Sequence, residues 1–153
     1  RTMVDNLLFP EETLSVIALH DTIEDKDVTY KQLLELFGAL TADATLKMSK
    51  VVDGIRIQDD IYYKVLSTCP IASSAKGFDR VHNLMTMLGG FTSDKQVSYI
   101  AETLEKTVPM LKIGRRSFPE QESVYENIKF VMTNQIQLYK ALNAGIQKQE
   151  TKK

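Results

Sequence analysis

The chain has 153 residues, of which 43% are hydrophobic and 25% charged. That is enough for one domain with a single core and too few for two comfortable ones. Its formal charge of −1 and isoelectric point near 6.2 lack the basic excess of a general nucleic-acid binder, but leave room for a small anionic substrate.

No apolar run approaches the roughly 20 residues of a membrane span, and no signal-peptide pattern opens the chain. The single cysteine, Cys69, rules out an internal disulfide. It fits a reducing cytoplasm and reads as a packing or loop residue.

Helical periodicity dominates, without alternating strands. Pro10-Glu11-Glu12 marks a helix start, followed by apolar Leu14 and Ile17. Thr29 and Gln32 form a capping box launching Tyr30 to Phe37, which Gly38 ends. A short helix over roughly 39–48 follows, then a turn at Val51-Val52-Asp53-Gly54. Asp59 to Leu66 reads as a helix, and so does Pro70 to Leu88, stopped by Gly89-Gly90. Ser93 begins another, running to about Ile113 with a kink at Pro109. Pro119 opens a long last helix. The expected architecture is an all-α helical bundle, one compact domain over 1–147 with a polar tail at 148–153.

The densest chemistry is in His20-Asp21-Thr22-Ile23-Glu24-Asp25-Lys26-Asp27, with four carboxylates in seven residues. If the stretch stays helical, Asp21, Glu24 and Asp25 share a face, and their repulsion asks for a cation or a shared proton. His20 and Asp21 offer a nitrogen and an oxygen suited to Mn²⁺, Fe²⁺ or Zn²⁺. Taken alone, the cluster reads as well as an acidic helix end with a stray histidine. A second cluster lies in Lys76-Gly77-Phe78-Asp79-Arg80-Val81-His82-Asn83-Leu84-Met85-Thr86. Asp79, Asn83 and Thr86 fall at i, i+4 and i+7 on one stripe, with Lys76 a turn earlier. Such a stripe suits a metal and a phosphorylated sugar, or a solvated helix face.

Together the two clusters resemble one family. HDTIED is similar to the HDxxED motif, and KGFDRVHNLMT to the KxxDRxxNxxT motif, of the RelA/SpoT-type HD hydrolase domain that cleaves the alarmone (p)ppGpp. HDTIEDKDVTYKQLLELFG and YIAETLEKTVPML resemble further segments of it in the right order, over roughly residues 1–115. The resemblance implies an HD-domain helical bundle with His20, Asp21 and Asp79 as metal ligands, most readily for Mn²⁺. Glu24 and Asp25 would position and activate water, and Asn83 and Thr86 would hold the ribose or phosphate of a nucleotide. Ser49, Lys50 and Lys76 are further substrate-binding candidates. Arg80 would be structural, pairing with an acid near the site, and His82 a packing residue or one that supports the ligands from behind.

The family's remaining histidine ligand would fall a few residues before Arg1, so the natural protein is expected to extend upstream. The implied reaction is metal-assisted release of pyrophosphate from the 3′ position of a guanosine nucleotide. Two other readings stand beside it. One is an HD hydrolase of a deoxynucleoside triphosphate, cyclic nucleotide or NADPH; the other is a non-catalytic nucleotide-binding module. The last helix, with Tyr125 and Tyr139, either closes the core or packs on a second subunit of a homo-oligomer.

Overall fold

The structure, a computed structural model, describes residues 4–25 and 28–150. Asp27 of the acidic cluster and the tail end, 151–153, lie outside the described residues. A 3₁₀ turn, Val4–Asn6, leads into α1 (Pro10–Leu19), where Pro10 takes the first helical position and needs no N–H partner. Thr13 and Val16 bury one face of α1.

The predicted capping box opens α2 (Tyr30–Met48): the Gln32 N–H donates to Thr29 Oγ1 at 3.3 Å, and the Thr29 N–H to Gln32 Oε1 at 2.9 Å. Gly38, at φ 78° and ψ 173°, divides α2 into the two helical pieces the sequence implies. Only glycine occupies that backbone region without strain.

The turn expected after residue 51 is more than a turn. β1 (Val51–Val52) and β2 (Ile55–Arg56) pair antiparallel, Val51 opposite Arg56 and Val52 opposite Ile55. Asp53 at φ 53° and Gly54 at φ 80° supply the two left-handed residues of a primed hairpin turn. The Asp-Gly pair was the signal for this hairpin, which the helical reading passed over.

α3 (Asp59–Ser67) and α4 (Pro70–Gly90) follow. Cys69 caps α4, its Sγ accepting the Ala72 N–H at 3.5 Å. The Gly89-Gly90 pair does not stop the helix early; it runs through both to Phe91. α4 is the central element, touching α1, α2, α3, α6 and α7. Its Ile71, Ala72, Ala75, Leu84 and Met87 lie in the core. Gly77 is where α4 approaches closest: a Cβ there would stand 2.9 Å from Ile128 Cγ2 and 3.2 Å from Leu111 Cδ2.

The predicted helix from Ser93 is broken earlier than expected. α5 (Ser93–Glu102) passes into a π-helical turn, Thr103–Thr107, before α6 (Val108–Ser117). Pro109 has no N–H to give the carbonyl of Glu105, so the irregularity lies upstream of the proline, in the turn whose hydrogen bond it would have closed. A 3₁₀ turn, Pro119–Gln121, leads into α7 (Glu122–Glu150), which continues past residue 148 without a break. Tyr125 and Tyr139 of α7 join the core, so this helix closes the domain. No helix among the described residues is long and apolar enough to cross a membrane.

Candidate active site

The two clusters meet where the end of α1 crosses α4. His20 follows the last residue of α1 and stays right-handed helical, at φ −57° and ψ −31°. Its Nδ1 donates to the Ile17 carbonyl at 2.8 Å, which fixes the ring and leaves Nε2 as the free nitrogen. That nitrogen lies 3.1 Å from Asp21 Oδ2 and 3.5 Å from Asp79 Oδ1. Two ligands each about 2.1 Å from one metal, at octahedral to tetrahedral angles, stand about 3.0–3.4 Å apart. The 3.1 Å separation falls within that range and the 3.5 Å one lies just beyond it. Among the described residues no three His, Cys, Asp or Glu side chains converge as a finished metal cage. What exists is a histidine nitrogen with two carboxylates within reach, and room for further ligands.

Asp79 is the anchored member, only 11% exposed where Asp21 is 67%. Lys76 Nζ bonds its Oδ2 at 2.9 Å and Asn83 Nδ2 its Oδ1 at 2.8 Å, so three residues of the predicted stripe do share one face. Here Lys76 and Asn83 orient a carboxylate, as outer-sphere partners of ligating groups do. Thr86, one turn beyond, is exposed and bonds back to the His82 carbonyl at 3.0 Å, outside the cavity. His82 is exposed and borders an apolar groove lined by Leu7, Leu14, Ile17 and Phe78, which meets the site at His20 and Asp79.

The acidic stretch does not continue α1 as a regular helix; residues 21–25 form turns. One helical bond survives, Asp25 N–H to the Asp21 carbonyl at 2.9 Å. Glu24 turns inward and its Oε1 accepts the backbone N–H of Lys50, while Asp25 is exposed and borders no part of the cavity. Ser49 is fully buried, its hydroxyl on the Thr45 carbonyl at 3.3 Å.

His20, Asp21, Glu24, Lys50, Lys76, Asp79 and Asn83 thus border one cavity of about 500 Å³. Its far wall holds side chains the sequence reading did not assign: Tyr62 of α3, and Lys95, Tyr99 and Glu102 of α5. The last three sit at i, i+4 and i+7, a spacing that was legible in the YIAETLEKTVPML segment and its preceding turn. Arg80, buried to 2%, closes this wall from behind. Its guanidinium stacks on Tyr99 at 4.0 Å and bonds Glu102 Oε1 at 3.1 Å, the acid pairing expected of it. Burial alone would push the Glu102 carboxyl up, but Arg80, Tyr63 and Lys50 together hold it down at about 2. Burial pushes the Tyr99 phenol up to about 12, against the pull of Arg80. The cavity therefore presents an ionised Glu102 and hydrogen-bonding phenols at neutral pH.

The chain is thus a small helical domain in which a histidine and two carboxylates open on a polar cavity. No family model matches the chain, and no solved structure matches it. Curated proteins do. A guanosine-3′,5′-bis(diphosphate) 3′-pyrophosphohydrolase of Aquifex aeolicus is 32% identical over 111 residues, covering 65% of this chain and 15% of that protein. The protein of the same name from Haemophilus influenzae is 28% identical over 124 residues, covering 71% of this chain and 17% of its own length. The GTP pyrophosphokinase rsh of Brucella ovis is 30% identical over 132 residues, covering 81% of this chain and 17% of that protein. The chain is a relative of the RelA/SpoT family, as its two motifs implied. It spans between 15% and 17% of the length of these relatives.

Proposed function

We propose that this chain is a metal-dependent phosphohydrolase domain that releases pyrophosphate from the 3′ position of guanosine tetra- or pentaphosphate, acting in the cytoplasm. The observation that carries the reading is His20 Nε2, freed by its Nδ1 bond and standing within metal-sharing distance of Asp21 and Asp79. The names of two relatives supply the substrate.

His20, Asp21 and Asp79 would hold the metal, Mn²⁺ in the first instance and Fe²⁺ or Zn²⁺ as alternatives. Bound there, the metal would lower the pKa of water and offset charge on phosphoryl oxygens. Glu24, on the cavity wall, would accept the proton of the attacking water. Asp25, on the exposed side of the same turn, acts on water only if the turn rotates inward on substrate binding. Lys76 and Asn83 keep Asp79 oriented, and Asn83 is also within the cavity for a ribose or phosphate oxygen. Lys95 gives the cavity a positive edge for a polyphosphate, whereas the Lys50 ammonium is already paired with Glu102 and Asp59. Ser49 and Thr86 would need to leave their present backbone partners to touch substrate.

The test is pyrophosphate release from ppGpp by the full chain with added Mn²⁺. Turnover is expected to need the metal, and Asp79→Ala is expected to weaken Mn²⁺ binding by at least roughly tenfold and to abolish release. Tight Mn²⁺ binding without ppGpp turnover would move the substrate to another nucleotide. Neither binding nor turnover would end the enzyme reading.

A further inference from the structure

One oxygen organises the far wall of the cavity. Glu102 Oε1 takes the Tyr63 hydroxyl at 2.7 Å, Lys50 Nζ at 2.9 Å and Arg80 Nη2 at 3.1 Å. Lys50 is in turn held at both ends. Its ammonium meets Glu102 and, at 3.5 Å, Asp59, over the rings of Tyr62 and Tyr63. Its backbone N–H donates to Glu24 Oε1. Contacts therefore run unbroken from α5, through Lys50, to the acidic turn after α1.

We propose that Glu102 is a positioning residue for hydrolysis: it fixes Lys50, and Lys50 fixes the carboxylate of Glu24. The claim rests on Glu24 being the acid that activates water. Three physical points support it. An ammonium between two carboxylates has little charge left for a substrate phosphate, so the contribution of Lys50 to the site is its main-chain N–H. A carboxylate oxygen with three donors, backed by an arginine that is 2% exposed and stacked on Tyr99, has little freedom to turn. And at Lys50 itself the main chain has one other tie, the Ile57 N–H to its carbonyl at 2.8 Å, while buried Met48 and Ser49 before it hold the segment in place through Tyr62 and Thr45. Without Glu102 the segment would keep its fold but lose its register against Glu24. A displacement of about 1 Å at such a group costs up to roughly a hundredfold in rate.

If Glu102 served only to neutralise Arg80, removing the Lys50 ammonium would leave catalysis unchanged. The experiment therefore compares Glu102→Gln, Lys50→Met and the double variant in the full chain. It reads kcat and KM for Mn²⁺-dependent pyrophosphate release from ppGpp, and hydrogen exchange of the amide at position 50 without substrate. Each single variant is expected to lower kcat by roughly tenfold or more while KM moves less than about threefold. The double variant should be no worse than Lys50→Met, as for members of one network. Exchange at position 50 should accelerate in all three.

Additive losses, losses confined to KM, or unchanged exchange at position 50 in Glu102→Gln would overturn the proposal. If Glu102→Gln does not fold, Lys50→Met decides alone, because it leaves the contacts of Glu102 with Arg80 and Tyr63 in place; an unchanged kcat then overturns it. If the unaltered chain does not turn over ppGpp, the substrate reading fails, and exchange at position 50 settles the positioning claim separately.

Discussion

His20 shows how much one main-chain bond decides. A histidine with two free nitrogens can meet a metal through either. With Nδ1 on the Ile17 carbonyl, only Nε2 remains, and it faces both carboxylates. The sequence paired His20 with Asp21 through adjacency and with Asp79 only through resemblance, since nothing in a linear chain shows that α1 ends against α4. Glu102 was illegible for a different reason: an acid in an amphipathic helix looks solvated until its donors, which come from three other segments, are in place. Its depressed carboxyl makes a prediction about acid stability. Glu102 ionises at about 2 in the folded chain against an ordinary value of 4.5, so the folded state gains from its charge above that ordinary value. That gain is lost as pH falls from about 5 toward about 2, where the folded-state carboxyl takes up its proton. The melting temperature of Glu102→Gln should accordingly fall less steeply over this interval than that of the unaltered chain. Parallel curves would remove Glu102 from the account.

Among the elements, α2 was read almost completely because its signals are local. Thr29, Gln32 and Gly38 act within a few residues of themselves, and each did what its chemistry required. Gly38 allows a clean test. A Cβ there would meet nothing within 4 Å, so any cost of Gly38→Ala arises from the backbone alone, at φ 78°. Melting should show a loss of about 1–3 kcal/mol with the fold retained; an unchanged midpoint would mean that the break in α2 relaxes into continuous helix. The hairpin and the π turn were missed because each was overridden by a longer-range pattern: a helical chain on either side of Asp53-Gly54, and a helical apolar period running through Pro109. Local breakers stand in both places, but the periodicity of the residues around them is the stronger signal in a linear sequence.

For the molecule as a whole, α4 is the axis on which the rest is assembled, and the site is cut into its polar side. Gly77 separates those two duties. On that residue's side α4 presses on α6 and α7, with no room for a methyl group against Ile128 and Leu111. Asp79, two residues on, opens to the cavity. Gly77→Ala should therefore lower stability by about 1–3 kcal/mol through overpacking, and shift Asp79 enough to weaken Mn²⁺ binding in the same variant. A stable variant with unchanged metal affinity would show that the α4–α7 contact yields elsewhere.

The π turn at Thr103–Thr107 has a consequence for phase. One extra residue in a helix rotates everything beyond it by about 100°. Before the turn, Lys95, Tyr99 and Glu102 address the cavity; after it, Met110, Leu111 and Gly114 address the core. On a regular helix the two sets would stand about 100° apart, so the extra residue resets the angle between the two stripes by as much again. The irregular turn works as a gear change along one rod, so its length in residues, more than its composition, sets which side chains look inward on either side.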